Sequence, residues 1–293
     1  MSKRIILILV VLLPSLLFAG GSAEAVSDKS VVVVSILPHA FFVEQLAGSE
    51  VQVLTLVGEG QNPHSYEPSP SQMAQLSKAK VWVLSGTEFE LALRPKIQKQ
   101  YPKLLVIDGT EGMTFRQLEE DDHDHHDDPL NIDRHTWLGQ NQVKVLLGHT
   151  LSALVDLLPE NKTIFEQRHA QLAQSIDSLF GELQKELQPL YGQSVFVYHP
   201  SFGYLLDDFG LTQVAVETGG KEPTAKDLAR LIEMAKVERP KAIFVQKQFP
   251  ASSAQAVAKA VGSAVVALDP LAYEWFDNIR MISSALLESG GKQ

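Results

Sequence analysis

Apolar residues follow two rhythms along this chain. Short unbroken runs of β-branched and aliphatic residues predict strands at Val31–Ile36, Val51–Val57, Val81–Leu84 and Leu104–Ile107. The first run, Val-Val-Val-Val-Ser-Ile, has no polar alternation, as expected of a strand covered on both faces in a parallel sheet. Between these runs the apolar positions take a helical spacing. Pro38 opens a helix that runs through Phe41, Phe42 and Leu46 to Gly48, and further helices are predicted over Pro70–Lys78, from Glu88 to about Gln100, and over Gln140–Leu158. Strands alternating with helices imply an α/β sheet.

The stretch Asn161–Leu187 is different. Phe165, Leu172, Ile176, Leu179, Leu183 and Leu187 recur at steps of seven, four, three, four and four. That is one apolar stripe on a long helix, ended by Pro189 and Gly192. Beyond it the α/β rhythm resumes. Strands are predicted at Val195–Tyr198, Val214–Val216, Ala242–Val245 and Ala264–Leu268, and helices at Phe202–Phe209, Ala225–Glu238, Ser252–Val261 and about Tyr273–Leu287. The expected fold class is α/β, with two lobes of mostly parallel sheet joined by one long rigid helix. The expected divisions are residues 1–25 as a signal peptide, 26–160 as the N-terminal lobe, 161–189 as the connecting helix and 190–293 as the C-terminal lobe.

Two segments fall outside this rhythm. At the N-terminus, Lys3 and Arg4 precede an apolar run from Ile5 to Phe18, and Ala23-Glu24-Ala25 fits a cleavage site. The run is shorter than the roughly 20 residues of a membrane span, so it reads as a cleavable secretory signal, with cleavage after Ala19 as the alternative. The other segment, Glu119–Asp128, reads EEDDHDHHDD: seven acids and three histidines with nothing apolar. It has no face to bury and is expected to be a loop. His123, His125 and His126 are candidates for a weak, reversible secondary metal site; a solvated loop without a required role is the plainer reading.

Charge narrows the function classes. With 25 basic and 35 acidic residues the net charge is -10, and no basic block exists. Phosphate backbones need clustered Lys and Arg, so nucleic acid is a poor partner. The absence of cysteine excludes disulfides, thiolate metal sites and lipid attachment at an N-terminal Cys. A Gram-negative-type periplasm is the expected location.

Four side chains carry the candidate chemistry. His64 sits in the rigid string Asn62-Pro63-His64-Ser65-Tyr66-Glu67-Pro68, after the second strand; His135 sits in Asp133-Arg134-His135-Thr136-Trp137, before a helix. His199 directly follows the strand ending at Tyr198, and Asp269 directly follows the one ending at Leu268. Ligands of open parallel sheets bind beyond the carboxyl ends of strands, so groups from both halves can meet in a cleft between lobes. Three imidazoles and one carboxylate suit tetrahedral Zn²⁺, whereas Mg²⁺ and Ca²⁺ prefer all-oxygen shells. Each residue alone has an ordinary reading: a turn residue at His64, a helix-start residue at His135, a satisfied core histidine at His199 and a turn or N-cap at Asp269.

The segments NPHSYEPSPSQ, DRHTW, HPSFGY and LDPL together resemble the metal-binding family of ABC-transporter solute-binding proteins, zinc type. The resemblance covers the mature chain, including the acidic His loop and the long helix. It implies that each lobe supplies two ligands, at His64, His135, His199 and Asp269, and that Zn²⁺ is the transported ligand. It also implies a membrane permease of an ABC importer as partner, no enzymatic activity and a monomer. Phe244–Phe249 resembles a family strand ending in a Glu-Pro-Gln-Phe turn, with Gln246 and Lys247 replacing Glu-Pro, and Glu222-Pro223-Thr224 resembles a helix start. Arg134 replaces the usual Pro before His135; beside a cation it would repel, unless it pairs with Asp133. Two alternatives stay open: a carrier of the same fold for manganese or another divalent ion, and a zinc hydrolase. The second lacks both H-E-x-x-H and a nucleophile elbow.

Overall fold

The β-branched runs do form strands, and each strand's carboxyl end feeds a helix or a loop on one edge of a sheet. A computed structural model describes residues 29–118, 132–217, 224–249 and 252–289. In the N-terminal lobe the order is β1 Ser30–Val34, α1 Leu37–Ala47, β2 Val51–Thr55, α2 Pro70–Leu76, β3 Ala79–Leu84, α3 Glu88–Gln100, β4 Leu105–Asp108 and α4 Gln140–Leu157. The long helix α5 Lys162–Glu186 follows. The C-terminal lobe holds β5 Ser194–Val197, α6 Gly203–Asp208, β6 Thr212–Ala215, α7 Ala225–Glu238, β7 Ala242–Gln246, α8 Ser252–Val261, β8 Ala264–Leu268 and α9 Trp275–Ser289.

Both sheets are parallel throughout. Their orders are β2-β1-β3-β4 and β6-β5-β7-β8, so the second lobe repeats the layout of the first. β1 lies between β2 and β3, with Val32 opposite Val53 on one side and Val81 on the other. Val32, Val33 and Val34 are all buried, as the unbroken apolar run requires of a strand covered on both faces. In each sheet the chain reverses direction at its first strand, between β1 and β3 or β5 and β7. That opens a crevice at the carboxyl edge.

Local chemistry sets the element ends. Pro38 occupies the first turn of α1, where its missing N–H costs nothing, and Gly48 closes the helix at φ 60. Ser69 and Gln72 form a reciprocal capping box at the start of α2.

The predicted stripe on α5 is buried at Phe165, Leu172, Ile176, Leu179 and Leu183, and Phe180 joins it. This face packs against α1 and α4 of the first lobe and α9 of the second. At roughly 1.5–3 kcal/mol per fully buried large apolar side chain, the stripe outweighs any propensity term of the helix itself. One hydrophobic core runs from the first sheet, along α5, to Trp275, Ile279, Ile282 and Leu286 of α9; a smaller cluster lies under α7 and α8. Among the described residues no helix is long and apolar enough to cross a membrane. The expected signal peptide and the segment holding His123, His125 and His126 lie outside the described residues, as do Glu222 and Pro223.

Candidate metal centre

The two carboxyl edges face each other, and three histidines meet between them. His64 is carried by the single 3-10 turn Pro63–Ser65 after β2, where Asn62 Oδ1 accepts its backbone N–H at 3.0 Å. His135 comes from the segment between β4 and α4, and His199 stands just beyond β5. His199 Nε2 lies 2.9 Å from His64 Nε2 and 2.9 Å from His135 Nε2. One ligand atom from each of the three lies within 4.8 Å of the others. His135 and His199 are buried, and His64 is half-buried.

Each imidazole is held at its other nitrogen by a carboxylate. Asp133 Oδ1 lies 2.8 Å from His135 Nδ1, Glu217 Oε2 lies 2.5 Å from His199 Nδ1, and Glu88 Oε2 lies 3.3 Å from His64 Nδ1. An ionised carboxylate only accepts hydrogen bonds, so each ring carries its proton on Nδ1 and turns a bare Nε2 lone pair inward. Three lone pairs at this spacing repel one another unless a cation sits among them. Tetrahedral Zn²⁺ with Zn–N of ~2.0–2.1 Å separates its nitrogens by about 3.3–3.4 Å, so the two 2.9 Å contacts of His199 need to open by only a few tenths of an ångström.

Electrostatics favour the same state. Burial, and then the neighbouring His135 and His64, hold His199 well below the ordinary imidazole range, so it stays neutral with Nε2 unprotonated. Burial works against the charge of Glu88, but the hydrogen bond from His64, the positive charge of His64 and His135 when they are protonated, and a backbone hydrogen bond outweigh it and bring the carboxyl down to about 2, so Glu88 is an ionised acceptor for the His64 ring.

The supports are firm. Asp133 Oδ1 also accepts the backbone N–H of His135 at 2.9 Å, and its Oδ2 lies 3.6 Å from Arg116 Nη1. Arg134 does not pair with Asp133, and it lines a small cavity with His64, Glu88 and His135. It donates to the Gly86 carbonyl at 3.0 Å and leaves Asp133 to Arg116 and His135. Buried Glu90 accepts from Ser85 N, Ser85 Oγ and Gly86 N, fixing the turn that delivers Glu88. Gln246 braces His199 by accepting its N–H at 3.0 Å and donating to its carbonyl, and Phe249 stacks on the ring at 4.5 Å.

Asp269 is brought to the edge of this site but not into the three-nitrogen group. Its Oδ1 accepts from Leu271 N at 3.0 Å and Gln248 Nε2 at 2.8 Å, and its Oδ2 lies 3.8 Å from Lys247 Nζ. His39 is buried at the start of α1 and shifted down to about 3 by burial; it is not in the cluster.

Sequence reasoning missed Glu88, Glu217, Gln246 and Gln248. The signal was available for the two acids, since Glu88 follows β3 and Glu217 follows β6, at the same strand edge that pointed to His199. Nothing in the spacing paired either acid with its histidine.

Over residues 32–288 the chain matches the family described as zinc-uptake complex component A, periplasmic (ZnuA). The chain belongs to this family. A crystal structure of ZnuA is similar to it with a TM-score of 0.83 and 32% identity, covering 90% of this chain and 100% of that one. The zinc-binding lipoprotein AdcA of Streptococcus pneumoniae is 30% identical over 278 residues, which are 92% of this chain and 55% of AdcA. The high-affinity zinc uptake system protein ZnuA of Bacillus subtilis is 25% identical over 263 residues, 86% of this chain and 81% of its own length. Membership in the ZnuA family makes this chain a zinc-binding component of zinc uptake, a solute-binding protein and not an enzyme. The two-lobed α/β fold with a linking helix is the one expected from the sequence.

Proposed function

We propose that this chain captures Zn²⁺ outside the cytoplasm on His64, His135 and His199 and hands it to the membrane permease of an ABC importer. The observation that carries this reading is the convergence of three Nε2 atoms, each on a ring whose Nδ1 faces a carboxylate. Asp269, the remaining member of the sequence-derived ligand set, accepts from Gln248, a residue that lines the cavity with the three histidines. An open cleft of about 520 Å³ borders His64 and Glu88 and gives a hydrated ion a route to the first imidazole. The apolar run at Ile5–Phe18 supports export by a cleavable signal, and delivery as a monomer follows the same reading.

Nitrogen-rich capture favours zinc over manganese, which prefers more oxygen. Elemental analysis after purification without added metal, followed by competition titration, tests this. One zinc per chain, displaced poorly by Mn²⁺, is expected; manganese at unit stoichiometry would refute it.

A further inference from the structure

Arg116 stands outside the metal centre and touches both chain segments that carry its buried histidines. On the N-terminal side its carbonyl accepts Asp133 N at 2.8 Å, and its Nη1 lies 3.6 Å from Asp133 Oδ2, on the carboxylate whose other oxygen holds His135. On the C-terminal side its Nε donates to Asp207 Oδ2 of α6 at 2.8 Å. The guanidinium lies against Gly203, the first residue of α6, shortly after His199 in the chain. A Cβ there would meet Nη1, Cζ and Nε at 2.7, 2.8 and 2.9 Å. Tyr204 repeats the connection, accepting Arg116 N at 2.9 Å and donating to the Asp133 carbonyl at 2.7 Å. An exposed ion pair contributes little, because water and salt screen it. Here the Arg116 side chain is only 13% exposed and that of Asp133 is fully buried, so screening is weak at the inner end of the bridge, although Asp207 is half exposed. A planar guanidinium can face two carboxylates at once, which an ammonium does less well.

We propose that Arg116 is a latch between the lobes that sets how long a captured ion stays. By bridging Asp133 and Asp207 it ties the segment bearing His135 to the segment bearing His199. The two Nε2 atoms it serves lie 2.9 Å apart and come from different lobes. With the bridge closed, the two imidazoles move as a pair; with it open, each can draw back from the ion on its own. Arg116 acts only through Asp133 and α6, so it is a positioning residue. Entry lies elsewhere: the open cleft borders His64 and Glu88, and Arg116 is not among the residues that line it. The latch therefore acts on release rather than on encounter. This inference rests on capture by the three histidines.

The test is the rate at which zinc passes from the loaded mature chain to an excess of a chromophoric chelator, read beside affinity from competition titration. Arg116→Gln should raise the release rate about 10-fold, the lower end for an outer partner of a metal site, and weaken affinity by the same factor, since encounter at His64 is untouched. Asp207→Asn cuts the bridge on the far lobe and leaves the Asp133 pair in place; release should quicken about 3-fold, the scale of one partly exposed pair. Gly203→Ala removes no charge, but its methyl drives the flexible guanidinium off its seat, and release should again quicken about 3-fold. Circular dichroism and one zinc per chain show that each variant is folded, and the last two variants carry the test if Arg116→Gln is not. A release rate unchanged in Arg116→Gln or in Gly203→Ala would overturn the proposal. So would fast release in Arg116→Gln beside an unchanged Asp207→Asn, because Arg116 would then act on Asp133 within one lobe. Failure of the unsubstituted chain to bind zinc would instead remove the three-histidine reading on which the latch rests.

Discussion

Glu217 shows at the residue scale how a buried acid serves a cation it need not touch. It is nearly fully buried and sits 2.5 Å from His199 Nδ1. Its charge fixes the tautomer and the orientation of the ring. Glu217→Gln keeps the shape and removes the charge, so zinc affinity should fall roughly 10–100-fold with the fold retained, as measured by competition titration and circular dichroism. Retained affinity would reduce Glu217 to a packing role. A second residue-scale prediction concerns Gly139. A Cβ there would lie 2.7 Å from Tyr204 Cβ, an atom with no freedom to swing away. Gly139→Ala should cost about 1–3 kcal/mol of stability in denaturant unfolding, by overpacking where the lobes touch. The histidines were legible because each lies in a local string with its own turn chemistry. Their acids were not, because Glu217 and His199 are 18 residues apart and only sheet register brings β5 and β6 together. Asp269 was legible as a strand-end acid, but its hold by Gln248 is a contact between loops after two different strands.

At the element scale, α4 begins against the other lobe. Gln140 N, at its first turn, donates to Asp208 Oδ2 at 2.8 Å. Burial, opposed by this hydrogen bond and aided by neighbouring Asp207, raises Asp208 to about 6. A carboxyl raised on folding stabilises the folded state while protonated, and that contribution is lost as pH rises from about 4 through 6. Asp208→Asn should therefore raise the melting temperature at pH 7.5 and change it little near pH 4, the gap opening between. The scale is on the order of 1–3 kcal/mol for a shift of this size. A gap that closes with rising pH would contradict this placement of the charge. The segment bearing His123, His125 and His126 leaves from Gln117 and returns at Ile132, which pair as an antiparallel bridge. Its ends are thus already joined beside Asp133. Deleting Glu119–Asp128 should leave the tightest zinc site intact in the same titration, and its loss would move the site to the loop. Strand and helix positions followed from apolar rhythm to within a few residues; β5 starts at Ser194 and α9 at Trp275, where hydrogen bonding extends or trims the apolar run.

On the scale of the whole molecule, α5 and the indoles bind the lobes into one unit. Trp137 Nε1 donates to the Pro270 carbonyl at 2.8 Å, and Trp275 Nε1 donates to the Trp137 carbonyl at 2.7 Å. Arg280 reaches Glu182 of α5 at 2.9 Å, and Arg116 reaches Asp207 at 2.8 Å. The continuous core through Ile176 predicts that Ile176→Ala, costing about 2–5 kcal/mol, lowers both lobes together in a single transition. The strut was readable from its stripe, but the cross-lobe indole bonds were not, because they join residues 133 and 138 positions apart. Such a frame lets small shifts at the cleft change the metal site without unfolding either sheet. Its central claim is that three imidazoles drawn from both lobes hold the ion. Competition titration of zinc against a chromophoric chelator, comparing the mature chain with His199→Ala, tests this most directly. The expected result is one tight site per chain weakened by at least about 100-fold, more than the loss of an outer carboxylate; an unchanged affinity in His199→Ala would contradict it.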